Sequence, residues 1–332
     1  VLWFAASNIL ALLLWYLILN AVTTGALRIS LSASVGPAQH PGRFDWVVLR
    51  STARYSIGVS AILLMLTLLS QLDRVVLSRL VTLDVFGNYM LAVTVTGALG
   101  YLAAPVTGAL YPRLVRAYTQ NDQVELTRNY HLCSQLVNFL VIPAAAVLVF
   151  FAQPVLGAWT GNPDVALKSA PLMRLLAVST GVSLLINCTF VLQAACGWNR
   201  LVFYQQLCAV VLMSLLLLAL VPSLGALGAA WAWVAVNLSQ AAFGPYLMHR
   251  RLLRGEFGRW LRGDVLMPGA VAVLCVWSSA ALMPDRMGRL TVATWLVTTF
   301  SIASLLHLAC SSELRPRLLA YVRTAGVRAG NG

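Results

Sequence analysis

The stretch Tyr55–Leu80, YSIGVSAILLMLTLLSQLDRVVLSRL, limits what this chain can fold into more than any other. As a helix it is long enough to cross a bilayer, which takes about 20 residues. Its first part is uncharged, and Asp73, Arg74 and Arg79 come late. Ser56, Ser60, Thr67, Gln71, Arg74 and Ser78 follow helical spacing and share a face, while the opposite face is Ile, Leu, Met and Val. A helix facing only lipid has no use for a polar stripe; one lining a wet cavity does. A charge at the bilayer centre costs roughly 3 kcal/mol on insertion scales, so Arg74 is expected to face protein or water. The competing reading places Asp73 and Arg74 near the helix end, where an arginine snorkels to the headgroups.

Eight further apolar segments repeat the pattern, at about 2–22, 87–111, 129–151, 170–195, 201–221, 226–248, 265–283 and 290–310. Only 10% of residues are charged, against about 25% in soluble domains. The expected fold class is therefore all-α, a polytopic membrane helix bundle of about nine transmembrane helices. The net charge of +13 does not point to nucleic acid, because the arginines lie in short loops between apolar spans. Alternate loops differ sharply. One set holds Arg28, Arg43, Arg50 and Arg54, then Arg113, Arg116 and Arg128, then Arg200, the arginines of 250–262 and those of the tail. The other holds Arg79, Lys168, Arg286 and Arg289. Excess basic residues mark the cytoplasmic side, so the first set and the tail are expected inside and residue 1 outside. An outside start on an apolar span, beginning at Val1, fits a chain lacking an odd number of preceding spans.

No GxSxG, HExxH, phosphate loop or CxxC occurs, and the histidines His40, His131, His249 and His307 are widely separated. No enzyme activity, cofactor or metal is expected. The six cysteines, Cys133, Cys188, Cys196, Cys208, Cys275 and Cys310, have no paired spacing and read as packing residues. What remains is intramembrane polarity. Arg174 lies about one turn inside its span, either facing substrate or snorkelling outward. Asn187, Asn237 and Gln240 are mid-span amides, either interhelical glue or cavity lining. Asp73 is the one plausible intramembrane acid for ion coupling. Pro105, Pro143 and Pro245 are expected to kink their helices and act as hinges. Gly100, Ala104 and Gly108 form a small-residue row suited to close helix packing, as does Gly225–Ala230. The segment 251–264, with arginines among Leu252, Leu253, Phe257, Trp260 and Leu261, has the composition of an interfacial helix.

The order of Asp73-Arg74, Phe86-Gly87-Asn88-Tyr89, Tyr111-Pro112-Arg113, Asn121-Asp122, Trp159-Thr160-Gly161, Gln193–Gly197 and Gly225–Ala230 resembles the second half of the Wzx-type polysaccharide flippases. These are lipid-linked oligosaccharide flippases of the multidrug/oligosaccharidyl-lipid/polysaccharide exporter superfamily. The resemblance covers about residues 1–250. It implies the last nine helices of a two-lobe, fourteen-helix transporter, with five helices preceding. Residues 1–22 would then be the last helix of the first lobe, and 23–54 a cytoplasmic interlobe linker. Residues 55–250 would be a six-helix second lobe, 251–264 an interfacial cytoplasmic segment, 265–311 two additional helices and 312–332 a basic cytoplasmic tail. The implied activity is passage of undecaprenyl-diphosphate-linked oligosaccharide across the inner membrane by alternating access. Arg74 and Arg174, with Gln71, Asn237 and Gln240, would meet substrate. Implied partners are the lipid-linked oligosaccharide, membrane lipids, and polysaccharide polymerase and export proteins, with no nucleic acid. Competing readings are a drug or peptidoglycan-precursor exporter, a membrane-embedded glycan polymerase, ligase or acyltransferase, and a helper subunit without transport activity.

Overall fold

The computed structural model describes residues 9–35, 45–284 and 288–316, and no strand occurs among them. Two compact units divide the chain, Val1–Tyr55 and Ser56–Gly332. In the first, α1 (Ile9–Val35) runs well past residue 22, so residues 23–35 are helix rather than linker. Their polarity is no obstacle, because hydroxyls return to the helix backbone: Thr23 Oγ1 donates to the Leu19 carbonyl at 2.9 Å and Ser32 Oγ to the Ile29 carbonyl at 2.9 Å. α2 (Trp46–Leu80) likewise begins inside the stretch read as linker. Residues 36–44, the rest of that linker, lie outside the described residues, as does the tail beyond residue 316.

The second unit is built around α5 (Gln123–Phe150) and α7 (Pro163–Ala195). α5 is the most buried of the long helices, and α7 packs against α5, α3 (Leu83–Gly97), α4 (Leu99–Thr119), α6 (Ala152–Thr160) and α9 (Ala226–Arg251). α8 (Asn199–Leu224) lies on α9. The one-turn α10 (Phe257–Arg259) runs into a π-helical segment, Trp260–Leu266, and then into α11 (Met267–Ala281), which with α12 (Arg289–Cys310) packs on α5.

Local chemistry sets the helix ends. Asn121 adopts φ 55°, and Asp122 caps α5 by accepting from the Glu125 N–H at 2.9 Å, an acid–x–x–acid start. Gly161 closes α6 at φ 69°. Asn162 then caps α7 by accepting from the Asp164 and Val165 N–H groups, with Pro163 at the first helical position. These caps carry both helices beyond their apolar segments, so α5 starts before Asn129 and α7 before Ala170.

Among the described residues, eight stretches are long and apolar enough to cross a membrane, 83–119 counting as one. The expected ninth, at α9, has the length and lies at the margin in apolarity, with Asn237, Ser239 and Gln240 in mid-helix. The 83–119 stretch breaks at Ala98, where the N–H groups of Ala98 and Tyr101 bond three residues back instead of four. Pro105 lies four residues past Tyr101, where its ring presses on the Tyr101 carbonyl, so the turn before the proline tightens.

Small residues serve close packing in some places and not in others. At Gly228 an added Cβ would lie 2.5 Å from the Leu220 carbonyl oxygen, so α8 and α9 meet backbone to backbone there. At Gly100 and Gly108 nothing lies within 4 Å of such a Cβ, and Ala104 is exposed. That row occupies a face of α4 turned away from the buried Ala103, Leu110, Leu114 and Ala117.

Candidate functional site

The buried face of α2 is Ile62, Leu69, Asp73 and Leu77, spaced 7, 4 and 4. Three of the four are core leucine or isoleucine, and the fourth carries a carboxylate into the same environment, 2% exposed. A buried carboxylate needs hydrogen-bond donors. Asp73 Oδ2 accepts from the Tyr89 hydroxyl of α3 at 2.5 Å and from Trp233 Nε1 of α9 at 3.0 Å. Its Oδ1 accepts from the Arg74 backbone N–H at 2.9 Å. Ser169 Oγ donates to Asn88 Oδ1 at 3.1 Å, and Asn237 Nδ2 to Ser179 Oγ at 2.7 Å, tying α7 to α3 and to α9.

A cavity of about 180 Å³ opens beside Asp73, lined by Ser70, Arg74, Thr96, Ser183 and Asn237 among others. With its hydrogen on Ala92 and Val93 carbonyls, the Thr96 hydroxyl turns lone pairs outward, and Asn237, donating through Nδ2, keeps its Oδ1 as acceptor. Oxygen acceptors beside a carboxylate suit a proton or a hard cation. Arg74 is half-buried, its Nε is enclosed without a partner, and it makes no side-chain hydrogen bond or ion pair among the described residues.

The remaining predicted residues are dispersed. Ser60, Thr67, Gln71 and Ser78 are exposed on the second unit. Thr67 and Ser78 donate to carbonyls of their own helix, at Leu63 and Val75, so of the cavity-lining stripe expected on α2 only Arg74 reaches the cavity. Gln240 is half-buried, its Nε2 unpartnered, and it does not line this cavity. Arg174 is exposed and borders a different cavity, of about 700 Å³, with Phe150, Phe151, Gln153 and Met283. Arg74 and Arg174, both expected to meet substrate, thus border different cavities. Arg174 precedes Ser179 and Ser183 by 5 and 9 residues, which at 100° per residue puts it roughly across α7 from them. Pro143 is buried within α5, Pro245 is buried in α9 with its carbonyl bonded to His249 Nδ1 at 2.7 Å, and Pro105 is exposed on α4.

A second polar cluster escaped the sequence reading. His131, Ser134, Gln135 and Asn138 line one face of α5 and are all buried. Asp264, 1% exposed in the π-helical segment, accepts from Gln135 Nε2 at 2.7 Å and faces His131 Nδ1 at 2.5 Å. Its backbone carbonyl accepts from Asn138 Nδ2 at 2.8 Å. Glu256 stands 3.1 Å from His131 Nε2, so a ring protonated on both nitrogens satisfies both carboxylates. Trp260 Nε1 donates to Ser134 Oγ at 3.0 Å, and Gln135 Oε1 accepts from the Glu313 and Leu314 N–H groups past α12. Residues 251–264 are thus partly packed into protein, with Leu253 and Trp260 in the core and the arginines exposed. The available signal was the spacing of 3, 1 and 3 on α5; its partners lie more than 100 residues away.

Cys133 and Cys188 are buried with sulfurs 3.0 Å apart, and the six cysteines are free. No cluster of His, Cys, Asp and Glu suited to a metal occurs among the described residues.

No curated protein matches the chain. Residues 3–163, just under half of it, match the model of a family described as polysaccharide biosynthesis protein, and that match supports the assignment at the level of the family.

Proposed function

We propose that the chain serves polysaccharide biosynthesis as a flippase, passing undecaprenyl-diphosphate-linked oligosaccharide across the inner membrane by alternating access, as a transporter and not an enzyme. The observation that carries the reading is a half-buried, unpartnered Arg74 beside the anchored Asp73 within a bundle of apolar helices. An arginine in this setting is costly unless an anion completes it. The guanidinium fork matches phosphate oxygens in a way that lysine does not. The Asp73 carboxylate, which Tyr89 and Trp233 hold in place, takes the coupling ion, and Asn237 offers an acceptor to the same cavity. Gln71 and Gln240 enter only in another state of the cycle, reached by bending at Pro105, Pro143 and Pro245. Polysaccharide polymerase and export proteins would act on what is delivered.

The test is glycan display by cells that depend on this protein. Arg74→Glu should abolish display at normal membrane level, and Arg74→Lys should keep part of it. Full display with Arg74→Glu would refute the role of Arg74.

A further inference from the structure

The cavity that Arg174 borders meets a second one at Phe150. Its wall residue Phe150 also borders an apolar groove of about 300 Å³ between α5, α7 and α11, lined by Ile142, Ala146, Val178, Val182 and Val273 among others. On α7 the sequence Arg174, Val178, Gly181, Val182, Leu185 advances by 4, 3, 1 and 3, which keeps the arginine and the apolar groove on one face. A cation stands at the head and a dry slot runs away from it.

Depth agrees with that division. α7 has 33 residues, about 50 Å at 1.5 Å per residue, against a hydrocarbon core of about 30 Å. With the excess shared between its ends, Arg174 lies ~6 Å inside the boundary, within reach of the headgroup level. The same end carries the loops poor in basic residues, the outer side by charge distribution. Arg174 has no hydrogen bond or ion pair among the described residues, although Lys168, two turns earlier, pairs with Asp84 at 3.5 Å.

We propose that cavity and groove form one binding site for a lipid-borne phosphate, with the phosphate on Arg174 and the hydrocarbon chain in the groove between α5, α7 and α11. The site is separate from the Asp73–Arg74 cavity and does not depend on what that cavity transports. Two lipids share this chemistry: a membrane phospholipid and a polyprenyl phosphate.

The experiment measures lipid binding to the purified full chain in detergent by native mass spectrometry. The probes are phosphatidylglycerol, a polyprenyl phosphate, diacylglycerol and inorganic phosphate. The expected result is binding of both lipid phosphates, at least tenfold weaker binding of diacylglycerol, and no competition by inorganic phosphate at lipid concentrations. Arg174→Ala should weaken the lipid phosphates tenfold or more and Arg174→Lys should recover part. Val178→Trp, which fills the groove without touching the cation, should weaken them as well. Equal binding of the two lipid phosphates supports the shared chemistry, and a tenfold preference for one supports it and names the source. Unchanged binding by Arg174→Ala, unchanged binding by Val178→Trp, or diacylglycerol held as tightly as phosphatidylglycerol overturns the proposal. Glycan export is not part of the readout, so failure here leaves the transport reading standing, and the reverse.

Discussion

Tyr89→Phe tests whether Asp73 is anchored as a carboxylate. The tyrosine ring is fully buried, so the change keeps the packing and deletes only the hydroxyl that donates to Oδ2 at 2.5 Å. A hydrogen bond to a charged group contributes about 1.5–3 kcal/mol. Trp233 Nε1 and the Arg74 N–H remain, so the loss should be about 2 kcal/mol. Asp73→Ala strands two donors at once, each costing about 1–3 kcal/mol, partly offset by relief of the buried charge; about 3 kcal/mol is expected. Asp73→Asn with its amide oxygen in the Oδ2 position still accepts from both Tyr89 and Trp233, as a neutral acceptor, so about 1 kcal/mol is expected. The predicted order of damage is Asp73→Ala, then Tyr89→Phe, then Asp73→Asn. Equilibrium unfolding of the purified chain in mild detergent, with size exclusion to confirm the starting state, reads these differences. A Tyr89→Phe variant within ~0.5 kcal/mol of the parent, or Asp73→Ala no worse than Asp73→Asn, would refute the anchoring.

Gly228→Ala should lower stability by about 3 kcal/mol and sharply reduce folded yield, because the new Cβ meets the Leu220 backbone, which cannot swing aside; normal yield would disprove the close approach. Asp264→Ala should cost about 3 kcal/mol in unfolding measurements, by stranding His131 Nδ1 in a buried site and leaving Gln135 Nε2 with Ser312 Oγ alone, and Asp264→Asn less; equal stability would mean that the cluster is not formed. Cys introduced at exposed Gly255 should resist an impermeant thiol reagent on intact cells, and Cys at exposed Asn162 should react, once native cysteines are replaced; the opposite pattern would invert the orientation.

Helices were legible from the chain because apolar runs and caps are local. Asp122 before α5, Asn162-Pro163 before α7 and Gly225 before α9 each act within a few residues of their own position. Direction was harder to read. On α2 the polar stripe drew attention to Gln71 and Ser78, yet the face entering the second unit is the apolar one with Asp73 set in it. Hydroxyls that can bond to their own helix give no sign of what lies opposite. Small residues were equally ambiguous: Gly228 is tight and Gly100 is open, and the difference depends on which helix passes nearby. The His131 cluster was least legible, since Asp264 and Glu256 reach it from the far side of four helices in sequence.

That cluster also bears on how α11 and α12 are held. Along α5, the end near the basic loops is fixed by charge and amides, through Asp264 to the start of α11 and through Gln135 to the residues after α12. Midway the contact becomes steric: an added Cβ at Gly269 would lie 3.2 Å from Ile142, and one at Gly181 would lie 3.2 Å from Ala145, so α11 and α7 both press on α5. At the opposite end the contact gives way to the cavity of about 700 Å³ beside Arg174. A pair of helices tied by a directional polar network at one end and by close packing in the middle has its remaining freedom at the other end. If α11 and α12 move in a working cycle, the motion should therefore change the width of the Arg174 cavity and leave Asp264 in place. Paired spin labels at exposed Gln153 and Leu290 should report a broader distance distribution than a pair at exposed Arg128 and Arg262. Equal breadth at both ends would contradict the clamp.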